Sequence, residues 1–160
     1  MFRGQWGYML GELEARLFPK GVYVITSRWH DRKAGMTAAW VTRVSGTPPA
    51  MMVAIHHQSY TGETIAKSGW YVINVLDEEQ LEIARRFGQG SSRNRDKFRG
   101  LAMMSSAHGQ PVISTAMAYL ECKVILLPPV GDHTLHIGNV MEERQLRAGA
   151  PLLYNQKKFE

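Results

Sequence analysis

The chain has 160 residues, with 19 Lys and Arg against 14 Asp and Glu, a formal net charge of +5 and 44% hydrophobic residues. That length suits one domain over 1–160 with a core that needs no disulfide or structural metal, and the lone Cys122 excludes an intrachain disulfide and a thiolate metal cluster while suiting a reducing cytoplasm. The positive balance favours anionic partners such as nucleotides, but the basic residues are dispersed apart from Arg93 to Arg99, and no apolar run is long enough for a membrane span, so neither a nucleic-acid nor a membrane partner is expected.

In chain order, "GELEARLF" places Leu13 and Leu17 one helical turn apart ahead of Pro19, which predicts a short opening helix. "GVYVITS" (21–27) is β-branched and aromatic and predicts a strand, with "WHDRKAG" as the hairpin loop behind it. "MTAAWVTRV" and "AMMVAI" predict two further strands, parted by Gly-Thr-Pro-Pro at 46–49, where the prolines forbid a continued ladder. "TGETIAKSG" predicts a short helical turn with Thr61 as N-cap, and "WYVINVL" (70–76) the next strand.

The strongest helical signal follows. Asp77 can cap, Gln80 stands three residues on as in a capping box, and Leu81, Ala84 and Phe87 form an apolar stripe ended by Gly88. "GQGSSRNRDKFRG" is a long polar loop. "AMAYLECKVILL", a turn at "PPVGD" and "HTLHIGNVMEE" predict a closing β-hairpin. Strands in neighbouring hairpins outnumber helices, which predicts a mostly β, antiparallel barrel or sandwich with a few short helices.

Several chemistries lack their signatures. No Gly-x-Gly-x-x-Gly follows a strand and no phosphate-loop Gly-Lys-Ser/Thr is present, so a cofactor must be held another way. His56 and His57 are adjacent on a strand and His133 and His136 differ by an odd number, so neither pair puts two imidazoles on one strand face for zinc. Ser45 lacks a nucleophile elbow. Cys122 reads as a small packing residue, as do the methionines at 51, 52, 103 and 104.

In this order, "FPKGVYVITS", "GMTAAWVTRVSGTPP", "SYTGETIAKSGWYVINVL", "RRFGQGSSRNRDKF", "AYLECKV" and "GDHTLHIGNV" resemble the flavin reductase-like family of FMN-binding split barrels, from about Phe18 to Tyr154. The family includes flavin reductase components of two-component monooxygenases and flavoredoxin-like electron carriers. The resemblance implies a six-stranded antiparallel split β-barrel, a homodimer, and bound FMN, with FAD as the other candidate. It implies a flavin reductase that moves a hydride from NAD(P)H to flavin and passes electrons to free flavin, iron, oxygen or a protein acceptor. The alternative is a carrier that holds FMN tightly and does not react with NAD(P)H.

The same resemblance assigns roles to residues that physical reading leaves open. Thr37, Ala38, Ala39 and Trp40 are by themselves ordinary strand residues, with Trp40 in the core; the resemblance sets them along the isoalloxazine ring, where small side chains admit close backbone approach. Ser59, Thr61 and Thr64 would surround the flavin phosphate at a helix start, although Thr61 also reads as a plain cap. Arg93, Arg95 and Lys97 read as a solvated charge run, while the resemblance brings Lys97 to a phosphate. His133 is either a turn-end histidine or a contact to nicotinamide and flavin. No protein residue is required as catalytic acid or nucleophile, since the chemistry belongs to the flavin. One departure stands out: Ala34 replaces the Asn of the family's Asn-Gly-Met-Thr, which removes an amide expected near the ring.

Overall fold

A computed structural model describes Glu14 and residues 16–159. Its strands are β1 (Tyr23–Trp29), β2 (Arg32–Ala38), β3 (Val41–Gly46), β4 (Pro49–His56), β5 (Trp70–Val75), β6 (Met103–Ser105), β7 (Pro111–Ile113), β8 (Ala118–Leu126), β9 (Pro129–Val130) and β10 (His133–Gln145). The helices are α1 (Tyr60–Ser68), α2 (Leu81–Gly88) and α3 (Gln156–Phe159). Half of the predicted opening helix, Leu13 included, lies outside the described residues; Glu14, Arg16 and Leu17 are helical.

The main sheet runs β2-β1-β5-β8-β10-β4-β3, with β9 added against β10, and every pairing is antiparallel. The mostly β split-barrel class is therefore as expected, but seven strands lie on this path where six were expected. The reason is local. "MTAAWVTRV" is not one strand: β2 ends at Ala38 and β3 begins at Val41. These two strands are the opposite edges of the sheet, so the two-residue link Ala39-Trp40 draws the edges together and curls the sheet on itself. Trp40 O accepts the amide of Ala54 at 3.0 Å, which ties the link to β4.

Closure creates an interior. Ile25, Ala38, Val53, Ile55, Tyr71, Ile73 and Cys122 meet inside the barrel, and Ile65 of α1 plugs one end. The neighbouring residues on β1 alternate outward: Val24 joins Leu76, Ala84, Phe87 and Phe98 beneath α2. Thus β1 is buried on both faces, which explains its near-continuous apolar run. Burial pushes the Cys122 thiol up to about 12, in keeping with its packing role.

Several expected boundaries shift. β2 already starts at Arg32, so the hairpin loop after β1 is only His30-Asp31, with His30 at φ 56. α1 is capped by Ser59, whose Oγ accepts the Gly62 amide at 3.4 Å, and not by Thr61; it ends at Gly69 with φ 78, a conformation glycine adopts without steric cost. The Asp77/Gln80 box does form: Gln80 Oε1 accepts the Asp77 amide at 2.9 Å and Asp77 Oδ1 accepts the Glu79 amide at 2.9 Å. It staples a turn, and regular helix begins only at Leu81. The short β6-β7 ribbon had no sequence signal beyond its apolar residues.

Candidate flavin site

The seam between the two sheet edges is also where a cleft opens. Its apolar end holds about 80 Å³ and is lined by Met36, Thr37, Ala38, Ala39, Trp40 and His133, among others. Its polar end holds about 370 Å³ and is lined by Ser59, Tyr60, Thr61, Gly90, Ser92 and Lys97, among others. Met36, Thr37 and His56 line both ends, so the two form one trough.

The polar end is built on the start of α1. A helix leaves its first amides without intrahelical acceptors and carries a positive dipole end, so this corner favours an anion. The corner is held in place by His136, buried beneath α1, against which Gly62 packs closely enough that a Cβ would sit 3.5 Å from the imidazole and 3.2 Å from Ile55. Burial lowers the His136 pKa, favouring a neutral ring there.

The opposite wall is the loop 89–97, fastened to β2 through one residue. The Gly35 amide donates to Ser92 Oγ at 3.0 Å, and the Gly35 carbonyl accepts from Ser92 Oγ at 3.1 Å and from Lys97 Nζ at 3.2 Å. Lys97 Nζ also donates to Phe87 O at 2.8 Å, at the C-terminal end of α2. Only glycine fits at 35: a Cβ would stand 2.6 Å from Phe87 Cε1. Burial, with the nearby positive charge of Arg95 second, lowers the Lys97 amine to about 8.

The apolar end is crowned by a histidine cluster that spacing within single strands does not reveal. Cross-strand register pairs His133 of β10 with His56 of β4. The His133 ring lies 4.7 Å from Trp40 and 5.5 Å from His56, centroid to centroid, and His56 stacks on His57 at 4.6 Å. Asp132 binds the group: Oδ1 is 2.6 Å from His133 Nδ1, and its carbonyl is 2.7 Å from His57 Nδ1. The His133 hydrogen bond is the main cause of a lowered Asp132 pKa, so this carboxylate stays ionised.

A family model described as "Flavin reductase like domain" matches residues 15–160. The chain belongs to that family. It is similar to a flavin reductase of Pseudomonas putida, 32% identical over 138 residues that cover 86% of this chain and 79% of the relative. It is also similar to high molecular weight rubredoxin of Moorella thermoacetica, 35% identical over 136 residues; that match covers 84% of this chain and 59% of the relative, whose full length this chain does not span. Among solved structures, an NADH:FAD oxidoreductase of Streptomyces globisporus superposes with a TM-score of 0.80 at 29% identity, over 86% of this chain and 82% of that one.

Set against this flavin reductase-like fold, most residues singled out from sequence fall on the trough. Thr37, Ala38, Ala39, Trp40 and His133 line its apolar end, and Ser59, Thr61 and Lys97 its polar end. Thr64 does not: it lines neither end, and its hydroxyl donates to Tyr60 O at 2.9 Å within the helix. The Thr37 hydroxyl likewise donates away, to Ala84 O at 2.5 Å, so as a donor it positions α2. Ala34 is buried and lines neither end, and its methyl faces packing where an amide had been expected near the ring. Sequence reading missed Ser92, whose polar loop was noticed but not its grip on Gly35, and Tyr154 and Phe159, which reach the apolar end from the chain's last segment.

Proposed function

We propose that this chain holds a flavin along the trough, with the ring against Thr37, Ala38, Ala39 and Trp40 at the seam and the phosphate at the Ser59-Thr61 start of α1. The activity class is NAD(P)H-dependent flavin reduction, with FMN or FAD as flavin and a nicotinamide nucleotide as cosubstrate. The observation that carries the placement is the continuity of the trough: a slot walled by small residues and an indole leads into a corner of amides, hydroxyls and one ammonium. These residues fit a flavin, whose planar ring needs close backbone approach and whose phosphate needs donors and positive charge.

A bound flavin supplies the hydride acceptance and electron release that no side chain here provides. The chain's own groups bind and orient. Ala38 and Ala39 let the main chain approach a ring, and Trp40 supplies a broad apolar wall. Ser59, the first amides of α1 and the Lys97 ammonium neutralise and fix a phosphate. Asp132 meets His133 Nδ1 at 2.6 Å, which fixes the ring's orientation beside Trp40 and leaves Nε2 on the side away from that carboxylate oxygen.

Three features of use in the cell belong to the same reading. The electrons pass on to free flavin, iron, oxygen or a protein acceptor. The chain works as a homodimer in the cytoplasm, in keeping with exposed Leu126, Val130 and Met141 and with its buried single thiol. Sedimentation at micromolar concentration tests the dimer. The deciding experiment is an anaerobic visible spectrum of the protein with FMN before and after NADH and then NADPH. Bleaching of the flavin band near ~450 nm faster than for free flavin is the expected result and identifies the donor. A bound flavin that stays oxidised with both nucleotides would overturn hydride transfer.

A further inference from the structure

Beyond the polar end of the trough lies a second cleft. It holds about 620 Å³ and meets the first at Ser92, the residue common to both linings. That volume is within the range of about 300–1,000 Å³ usual for small-molecule sites. Four cations, Lys33, Arg93, Arg95 and Arg99, line it against two carboxylates, Asp31 and Asp96.

These charges are not equally committed. Arg93 donates to Glu63 Oε2 at 2.6 Å and lies 4.8 Å over the Tyr60 ring. Lys33 lies 5.5 Å over the Phe98 ring, and Asp96 Oδ1 accepts the Phe98 amide at 3.0 Å. Among the described residues, Arg95 and Arg99 take part in no ion pair. Two guanidinium groups thus face a cleft whose inner end opens on the corner assigned to the flavin's phosphate. A planar guanidinium suits two acceptors at once: it grips phosphate oxygens in a bidentate fashion and stacks on flat rings.

Resting on the placement of the flavin phosphate at α1, we propose that this outer cleft is a subsite for the adenylate half of a dinucleotide flavin. Arg95 and Arg99 engage its second phosphate and base, and the chain prefers FAD to FMN. A pyrophosphate places the second phosphoryl group directly beyond the first, so the ligand crosses Ser92 from one cleft to the other. Arg93, pinned by Glu63 and Tyr60, holds the loop that carries Arg95 in place.

The test is flavin-fluorescence titration of the full chain with FMN and with FAD, in the wild type and in the double variant Arg95→Ala, Arg99→Ala, at low and high salt. Both side chains are exposed, and the main-chain contact at Arg99 O is untouched, so the variant keeps its fold, which circular dichroism verifies. The expected result is an FAD dissociation constant raised about tenfold by the loss of two charge-assisted contacts, with that for FMN changed less than about twofold. Added salt should erode the wild type's preference for FAD by screening exposed charge. Equal changes for both flavins, or none, would overturn the subsite. A change confined to the KM for NADPH, with NADH and both flavins unaffected, would also overturn it and give the cleft to a nicotinamide nucleotide's extra phosphate. Failure of the wild type to bind either flavin would instead remove the underlying placement.

Discussion

His133 and His108 each meet a carboxylate at 2.6 Å, yet the two pairs do opposite work. Asp132, partner of His133, has a side chain 69% exposed and sits at the mouth of the trough beside Trp40 and His56. Glu121, partner of His108, is fully buried on β8, where it also accepts the Ser106 hydroxyl and, at 3.1 Å, the His108 amide. His108 stacks on Trp70 at 4.2 Å, so the turn at 106–109 is clasped to the barrel wall. Ser106 donates to the buried carboxylate, as part of the same clasp. A solvated carboxylate orients a ring whose far nitrogen faces a cleft; a buried one has its lone pairs consumed by the fold.

The largest expected effect comes from breaking the structural pair. Glu121→Ala strands a hydroxyl, an amide and an imidazole, and should cost about 3 kcal/mol, lowering the melting temperature by roughly 10 °C, while flavin affinity at low temperature stays unchanged. A flavin dissociation constant that rises with it would mean that the two regions are not separate. Thermal melts and titration of one sample read both quantities.

Next in size is a pH effect at Lys97, the buried cation at the polar end of the trough. Its amine, lowered to about 8, loses its proton as pH rises through that value. Affinity for flavin phosphate should therefore fall roughly fivefold between pH 7 and 9, and Lys97→Met should bind weakly and show no such fall. Stability should move the other way. The unfolded amine keeps its proton up to about 10.4, so between the two values unfolding takes up a proton and the Lys97 contribution to stability grows with pH. Affinity and stability that fall together would remove Lys97 from the phosphate corner.

Smaller effects sharpen the functional pair. His133→Ala should raise the KM for the nicotinamide nucleotide about fivefold, with the melting temperature within roughly 2 °C of wild type, since His133 lies on the surface of the cleft. An equal loss in kcat alone would assign it to the chemical step. The smallest effect is expected at Thr64, whose hydroxyl is spent inside α1: Thr64→Val should leave the flavin dissociation constant within about twofold, whereas Ser59→Ala, which removes both a cap and a cleft hydroxyl, should raise it several-fold.

Local chemistry made much of this legible. β-branched runs announced β1, β4, β5, β8 and β10, the Asp77/Gln80 box announced α2, and the ordered motifs carried the family. What stayed hidden was every feature that depends on residues far apart in sequence. Nothing in "MTAAWVTRV" says that its middle joins the two edges of the sheet, because a strand and a strand-link share the same small and apolar composition. The pairing of His56 with His133 is a matter of register between β4 and β10. Likewise, whether Thr37 or Thr64 offers its hydroxyl to a ligand or to a carbonyl depends on which backbone folds over it. Side-chain identity and periodicity act over a few residues, so the sequence by itself determined most of the strands, α2 and the mostly β, antiparallel class, and the resemblance of its ordered motifs supplied the flavin-binding family. Closure of the barrel, the grip of Ser92 and Lys97 on Gly35, and the division of labour between two histidine–carboxylate pairs were decided only by tertiary packing, because there burial and register set which polar groups remain unspent.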